Sequence, residues 1–543
     1  MPGISNINEL QAMNLGLAAS YWLTNDIDAS ATATWNPTTD RGEWQASTAY
    51  NVHDYVLVST YTPARTYICH TAHTSGLSFS STNWWLSYGT VPAYLGFEPI
   101  AQWSPNVFTG SLNGSSYTIT DLYSDRPYYS AGLFVWCEEA TISNLTLTDA
   151  SIRGKDGVGL VYWCLTAAAT TIENCHVTGT ITSLFSNSLA AGLVGWVENA
   201  VIDDCSVDVT ITAADDAGGL AYWVEQGTIS NSEAKATITA GDNAAGFVSC
   251  MEQGEIDQCE AESNITATDD AAGFAHYIGG GGEVSVSHCS SKSTISAKGA
   301  AGFIYTSSGE VLIHKCYAIG SVSGSTNVAG FASSLWELTI NDCYARVNVH
   351  GVAADYLAGF CGVAWWGTIT NSYSEGLVSG TATKIGGFCA EIDDSPPAEP
   401  AVITDCFWDT ETSGQATSDG GTGKTTAEMI AAATFFDASW DIGGTTTDRN
   451  DGYPFLSWEI DEDVTVWLIY GTGLRSFTIP DVLDHRGRAI KNARVQAFRV
   501  DTHEFVEEET TDEYGSATFD ELPNDVDVVF YVTWGGNSHV LEV

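Results

Sequence analysis

Basic residues are scarce in this chain: 19 Lys and Arg stand against 67 Asp and Glu, a formal net charge of −48, and only eight of the bases are lysines. Nucleic acid and anionic membranes are therefore poor partners, because both are bound through clustered Lys and Arg. No apolar run reaches the roughly 18 residues of a membrane span, so no membrane insertion is expected. The opening Met1-Pro-Gly-Ile-Ser-Asn lacks the basic and then apolar run of a secretory signal. Either such a signal has been removed, or the protein leaves the cell by lysis, as virus-particle components do. Cys-x-x-Cys pairs are missing as well, which argues against a zinc ribbon.

What is abundant is a pattern. A small residue, Gly and a large apolar residue recur at Gly132, Gly159, Gly192, Gly219, Gly246, Gly273, Gly302, Gly330, Gly359 and Gly387, with gaps of 27 to 33 residues. Self-similarity at this period means stacked supersecondary units. Within a repeat, Ile202-Asp-Asp-Cys205-Ser-Val207-Asp-Val209 alternates apolar and polar residues between Gly, Asn and Asp, as short strands do. A closed coil of this length stacks into a parallel β-helix, and the repeat glycine belongs at a corner where a side chain would meet the next coil.

The 13 cysteines follow the repeat. Cys175, Cys205, Cys259, Cys289, Cys316, Cys343 and Cys406 hold one position, and Ser232 and Ser372 fill it elsewhere. Small, buried, unpaired Cys suits such an inward column, so a thiol stack is expected in place of disulfides. Asn174, Asp204, Asn231 and Asp342 precede that position and suit a tight turn.

The Ala-Gly-Leu/Phe-Val repeats resemble those of GLUG-motif proteins, and both flanks are similar too. On the N-terminal side these are Ile7-Asn-Glu-Leu-Gln-Ala-Met13, with Ser5 or Asn6 as helix cap, Tyr21 to Asp28, and Phe108 to Ile119 as a typical first coil. On the C-terminal side they are Cys406 to Gly414, Gly420 to Met429, and Asp451 to Trp458. The resemblance implies an all-β chain: a right-handed parallel β-helix at 91–460 with an N-terminal cap at 1–38, exposed at a surface and without catalytic residues.

Residues 39–90 break the pattern with many aromatics. Ala49 to Val56, Tyr67-Ile-Cys-His-Thr-Ala-His-Thr-Ser-Gly76 and Asn83-Trp-Trp85 look like small chitin-binding-type modules, in the Ala-His-Thr-Ser-Gly variant of viral tail fibres. Trp44, Tyr50, Tyr67, Trp84 and Trp85 are the candidate sugar-stacking residues; the alternative is that they form the module's core. Six of the 19 basic residues fall in the last 79 positions. There Ala489 to Leu522 alternates like a small β-sandwich, and Thr511 to Phe519 resembles the turn of carboxypeptidase-regulatory-like, transthyretin-type domains, giving a C-terminal sandwich at 465–543.

Acids recur before several repeat glycines. Asp216, Asp242 and Asp270 are candidate Ca²⁺ ligands, since stacked carboxylates repel and an oxygen-seeking cation relieves them; a solvated acidic edge in high salt is the alternative. Cys69, His70, His73 and His53 form a weak metal pattern. Bases within the coils form no column and paired acids are too common to single out a catalytic pair, so no catalytic residue is assigned. The acidic, lysine-poor composition resembles proteins of very salty environments.

The expectation is a structural virion protein of a tailed virus, a tail spike, fibre or decoration, located on the virion surface or tail. Its partners would be a host-surface glycan or glycoprotein and other virion proteins, and it would form a homo-oligomer, a trimer by analogy. A cell-surface adhesin or S-layer-associated protein is the alternative, and a polysaccharide-degrading β-helix enzyme is another.

Overall fold

A computed structural model of the protein describes residues 2–59, 65–69, 72–75, 85–88, 92–102, 106–164, 169–393, 400–445, 447, 449–460, 466–470, 474–479, 482, 489–499, 505–512, 514, 516–523, 528–534 and 537–541. The chain is all-β, with 59% strand, 8% helix and a parallel β-solenoid of about 12 turns. It divides into two units: Met1–Ile369, Tyr373–Ile403 and Ser413–Gly420 in the first, and Thr370–Ser372, Thr404–Thr412 and Gly421–Val543 in the second.

The coils of the first unit form because alternation and register agree. In the strand Ser206–Ala213, Val207, Val209, Ile211 and Ala213 point inward, while Asp208, Thr210 and Thr212 are exposed. Glu233–Ala240 and Glu260–Ala267 pair with it in parallel, so that Ile211, Ile238 and Ile265 stack. The column runs from Ile181 to Val378. A second column stacks Ile142, Ile172, Ile202, Ile229, Ile256, Val286, Ile313 and Ile340, all with no exposed surface. A third stacks Phe247, Phe274, Phe303, Phe331, Phe360 and Phe388, with ring centroids 4.6 to 4.8 Å apart.

The repeat glycines stand where two coils touch. A Cβ on Gly192 would lie 2.1 Å from the Gly219 carbonyl oxygen; on Gly219, 1.8 Å from that of Gly246; on Gly302, 1.9 Å from that of Gly330. None of these three has a positive φ, so close approach and not backbone freedom selects glycine. The repeat glycines thus stand where the sequence pattern places them, at points with no room for a side chain between coils.

Asn174, Asp204, Asn231 and Asp342 adopt φ of 49°, 50°, 48° and 54°, a left-handed conformation that short polar side chains tolerate best. Gln258, His288 and Lys315 occupy the same corner at 54°, 48° and 52°, without that advantage. The residue that follows is the column cysteine. Its thiol donates to the carbonyl two residues back: Cys205 to Asp203 at 3.2 Å, Cys289 to Ser287 at 2.9 Å, Cys343 to Asn341 at 3.3 Å. Ser232 makes the same bond to Ser230 at 2.7 Å, which explains why serine substitutes there. All 13 cysteines are free and buried, and burial pushes the Cys259, Cys289 and Cys316 thiols well above their ordinary range. Reactivity needs an accessible thiolate. At pH 8 the native protein should therefore take up no iodoacetamide over a period that labels an unfolded control completely. One cysteine alkylated at the unfolded rate would remove that residue from the buried set.

The N-terminal helix is Ile7–Gln11, capped by Asn6, whose side chain accepts from Asn8 and Glu9. Phe108 to Ile119 is not the first coil. Ser111–Asn113 stacks on Ser20–Leu23 and Thr118–Thr120 on Ile27–Asp28, and Gly3–Ile4 pairs with Trp22 and Leu23 beneath them. The solenoid thus begins before the insert. The insert leaves and returns through a narrow neck, where Pro37 bridges Tyr94 and Thr38 donates to the Ala93 carbonyl at 3.0 Å. It holds a four-stranded sheet of Thr39–Glu43, Asp54–Val58, Arg65–Cys69 and Trp85–Tyr88.

In the second unit, Arg494–Arg499, Phe505–Thr510, Val528–Trp534 and Asn537–Leu541 make one antiparallel sheet, and Leu474–Ile479 pairs with Ala517–Pro523 in another. Val495, Ala497, Phe530 and Val532 from the first share an apolar cluster with Ala517 and Phe519 from the second.

Candidate functional site

Two of the insert's candidate aromatics lie inside it. Tyr50 and Tyr67 are 2% and 4% exposed and pack with Val56, Val58 and Cys69, with Trp44 half-buried against them. A module this small needs such side chains to close a core, so these two tyrosines have no open face for a sugar. Trp84 and the Trp85 side chain lie outside the described residues, as does His70. Cys69 Sγ stands 3.6 Å from His73 Nδ1, and His53 is held below its ordinary pKa by burial and by Arg126.

The acids Asp216, Asp242 and Asp270 come from neighbouring coils but not from one row. Asp216 and Asp270 share a row with Asn243 between them. Asn243 donates its backbone and side-chain N–H to Asp216 Oδ1, both at 3.2 Å, and the Tyr222 hydroxyl reaches Oδ2 at 3.1 Å. Asp242 belongs to the adjoining row of Asp215, Asp242, Asp269 and Lys298, which ends in a Lys298–Asp269 pair at 2.7 Å. Burial raises the pKa of all three, and for Asp242 the carboxylates of Asp216, Asp215, Asp269 and Asp270 add to it. Among the described residues no group of three or more His, Cys, Asp or Glu converges to hold a metal ion.

A different array stands out on the solenoid surface. Trp136, Trp163, Trp196 and Trp223 stack in register, with centroids 4.9, 5.8 and 4.7 Å apart and planes within 13° of parallel. Unlike the sealed Phe column, all four are only half-buried. Ring contact needs about 3.5–4 Å between carbons, so planes whose centres are this far apart lie offset like shingles. Each leaves a strip of face uncovered by its neighbour. The indole N–H groups of Trp163, Trp196 and Trp223 are closed off from solvent without a hydrogen-bond partner. Two residues further along the strands, on the same side, Glu198, Glu225 and Glu252 form a parallel row. Burial and the neighbouring Glu225 raise the Glu252 pKa.

Sequence reasoning passed over these tryptophans in favour of the aromatic-rich insert. The signal was present: each stands four residues after a repeat glycine, and Glu138, Glu198, Glu225 and Glu252 stand six after.

Aromatic strips beside carboxylates are the groups that hold sugars, the rings against C–H faces and the acids on hydroxyls. They are carried here by a parallel β-solenoid. The model of the GLUG motif matches residues 186–212, one coil containing Trp196 and Glu198. Among curated proteins the chain is 40% identical over 104 residues to halomucin of Haloquadratum walsbyi, covering 19% of this chain and 1% of that protein. It is 29% identical over 99 residues to a protein of Evansella cellulosilytica designated a Gly-rich membrane protein, covering 18% of this chain and 11% of the relative. The chain thus spans only a small part of either relative. A crystal structure from Bacteroides ovatus, of a protein designated an immunoglobulin A1 protease, aligns at 12% identity over 84% of this chain and 92% of that one, with a TM-score of 0.25. Among the described residues no helix is long and apolar enough to cross a membrane.

Proposed function

We infer that this protein works outside a salt-adapted cell, as a surface protein whose solenoid is an acidic scaffold that holds surface polysaccharide. The observation that carries the reading is the half-exposed Trp136–Trp163–Trp196–Trp223 ladder with its Glu row. A soluble solenoid that needed only coil stacking could place these rings inside, as it does its phenylalanines. The excess of 67 acids over 19 bases and the likeness to halomucin support the salty setting.

The test is co-sedimentation with cell-surface polysaccharide in molar salt. Wild type should bind, and a Trp196→Ala, Trp223→Ala double variant with an unchanged far-ultraviolet spectrum should bind at least roughly tenfold more weakly, as loss of stacking on two rings implies. Equal binding by both proteins would overturn the reading. The same incubation reports on the enzymatic alternative through new chain ends.

A second reading, attachment rod of a tailed virus, is favoured by the tail-fibre-like sequence of the insert. Fractionation separates the two: a cell-surface protein is recovered with envelopes, a virion protein with particles.

A further inference from the structure

One face of the solenoid breaks the acidic rule. The outward side chains of the parallel strands from Ser206–Ala213 to Tyr317–Gly324 form straight rows along the coil stack. The first row reads Asp208, Lys235, Glu262, Lys292, Ile319 and Arg346, followed by Glu375. Beside it stand Thr210, Thr237, Asn264, Thr294 and Ser321, then Thr212, Thr239, Thr266, Ser296 and Ser323. Lys235, Glu262 and Lys292 are 53%, 54% and 41% exposed at their side chains. An open groove of about 500 Å³ follows the charged row across five coils.

In a chain of net charge −48, two copies can approach closely only where the local charge cancels, and here it does. The four charges from Asp208 to Lys292 sum to zero and alternate in sign. Exposed ion pairs such as Lys235–Glu262, 3.7 Å apart, add little to stability, so coil stacking alone does not account for the alternation. Read from the opposite end, minus-plus-minus-plus becomes plus-minus-plus-minus. We propose that this face is a docking surface for a second copy of the same chain, laid antiparallel about a two-fold axis that lies in the face along the strands. Asp208 then meets Lys292 of the second copy, and Lys235 meets Glu262. A parallel copy in register would set like charges together, which is the repulsion that fixes orientation at interfaces.

The size is adequate. Five strands at about 4.8 Å and eight residues at about 3.3 Å give roughly 630 Å² per copy, within the roughly 600–1,000 Å² per partner of a standard interface. At the rim, Glu233 and Glu260 oppose each other across the axis. Lys292 already pairs with Glu260, and salt screens what is left, so pairing belongs to salty solution. This proposal does not depend on the glycan reading.

The test is sedimentation velocity on the full chain in about 1 M salt, where screening falls to about 3 Å. Wild type should form a dimer. An all-acid face, Lys235→Glu with Lys292→Glu, and an all-basic face, Asp208→Lys with Glu262→Lys, should each weaken self-association at least roughly tenfold. Mixed one to one, the two variants should dimerise with each other. These side chains face outward, and far-ultraviolet spectra check that the coils persist. A monomeric or trimeric wild type, a variant that still self-associates like wild type, or a mixture that stays monomeric would overturn the proposal. Glycan binding lost in the tryptophan variants but retained in the charge variants keeps the two readings separate.

Discussion

Gly219→Ala is expected to cost more than about 4 kcal/mol, at the upper end of what one substitution does, and to open the solenoid at that coil. The new Cβ would lie 1.8 Å from the Gly246 oxygen and 2.7 Å from its carbon. Neither side can give way. The carbonyls flanking Gly246 already accept from this coil: Ala245 from Gly219 at 2.9 Å, Phe247 from Leu220 at 2.8 Å and from Ala221 at 3.1 Å. Separating the coils would leave those buried groups unpaired, at about 1–3 kcal/mol each. Stacked repeats are held by nearest-neighbour contacts, so the damage should be local. Proteolysis should cut first between the coils of Gly219 and Gly246, and the urea transition should lose cooperativity. Gly281→Ala is the control: its Cβ would meet only the Gln253 side-chain nitrogen, at 3.5 Å, and stability should stay within about 0.5 kcal/mol of wild type. Two variants of equal stability would mean that the glycine column is not where coils touch.

The glycine column was legible in the sequence because spacing alone reveals it, and the cysteine column because Cys and Ser alternate at one repeat position. Inward columns announce themselves by composition. Outward ones do not, since solvent accepts most residues, and Trp163 and Trp196 become a pair only when both are counted from Gly159 and Gly192. The acid rows show a further limit. Asp215 and Asp216 are adjacent in the chain, yet a one-residue offset in register sends them to different rows, so Asp242 joins Asp215 and not Asp216. The coil at Ser20–Leu23 and Ile27–Asp28 was hidden for another reason: it carries no repeat glycine, and its pairing partner lies 91 residues on, as Ser111 stands to Ser20. In the insert, aromatic content suggested a sugar platform, but Tyr50 and Tyr67 closed a small core first.

The acid rows make stability a function of salt and pH. Asp216, Asp242 and Asp270 have folded pKa values above the ordinary 3.8, through burial first and, for Asp242, through neighbouring carboxylates next. An acid whose pKa rises on folding contributes its full stability below the unfolded value, and that stability is lost as pH climbs through the folded value. The loss therefore begins above about pH 4 and continues as pH rises through the raised folded values. Asp203 acts oppositely: hydrogen bonds from Ser230 and Asn231 lower its pKa, so its contribution fades as pH falls below about 4. The two trends cross near pH 4, where stability should be greatest. At about 0.1 M salt the unfolding midpoint should drop by several degrees from pH 5 to pH 7. It should climb at pH 7 by roughly 5–10 °C as salt passes about 1 M, which corresponds to a few kcal/mol. The pH gap should narrow in salt without vanishing, because ions screen repulsion between carboxylates but do not rehydrate buried ones. Asp242→Asn should raise the midpoint in low salt more at pH 7 than at pH 4, because its raised pKa makes the ionised carboxylate costlier in the fold than in the unfolded chain. A midpoint that falls with added salt, or an Asp242→Asn variant that gains as much at pH 4 as at pH 7, would show that these rows do not carry the repulsion assigned to them.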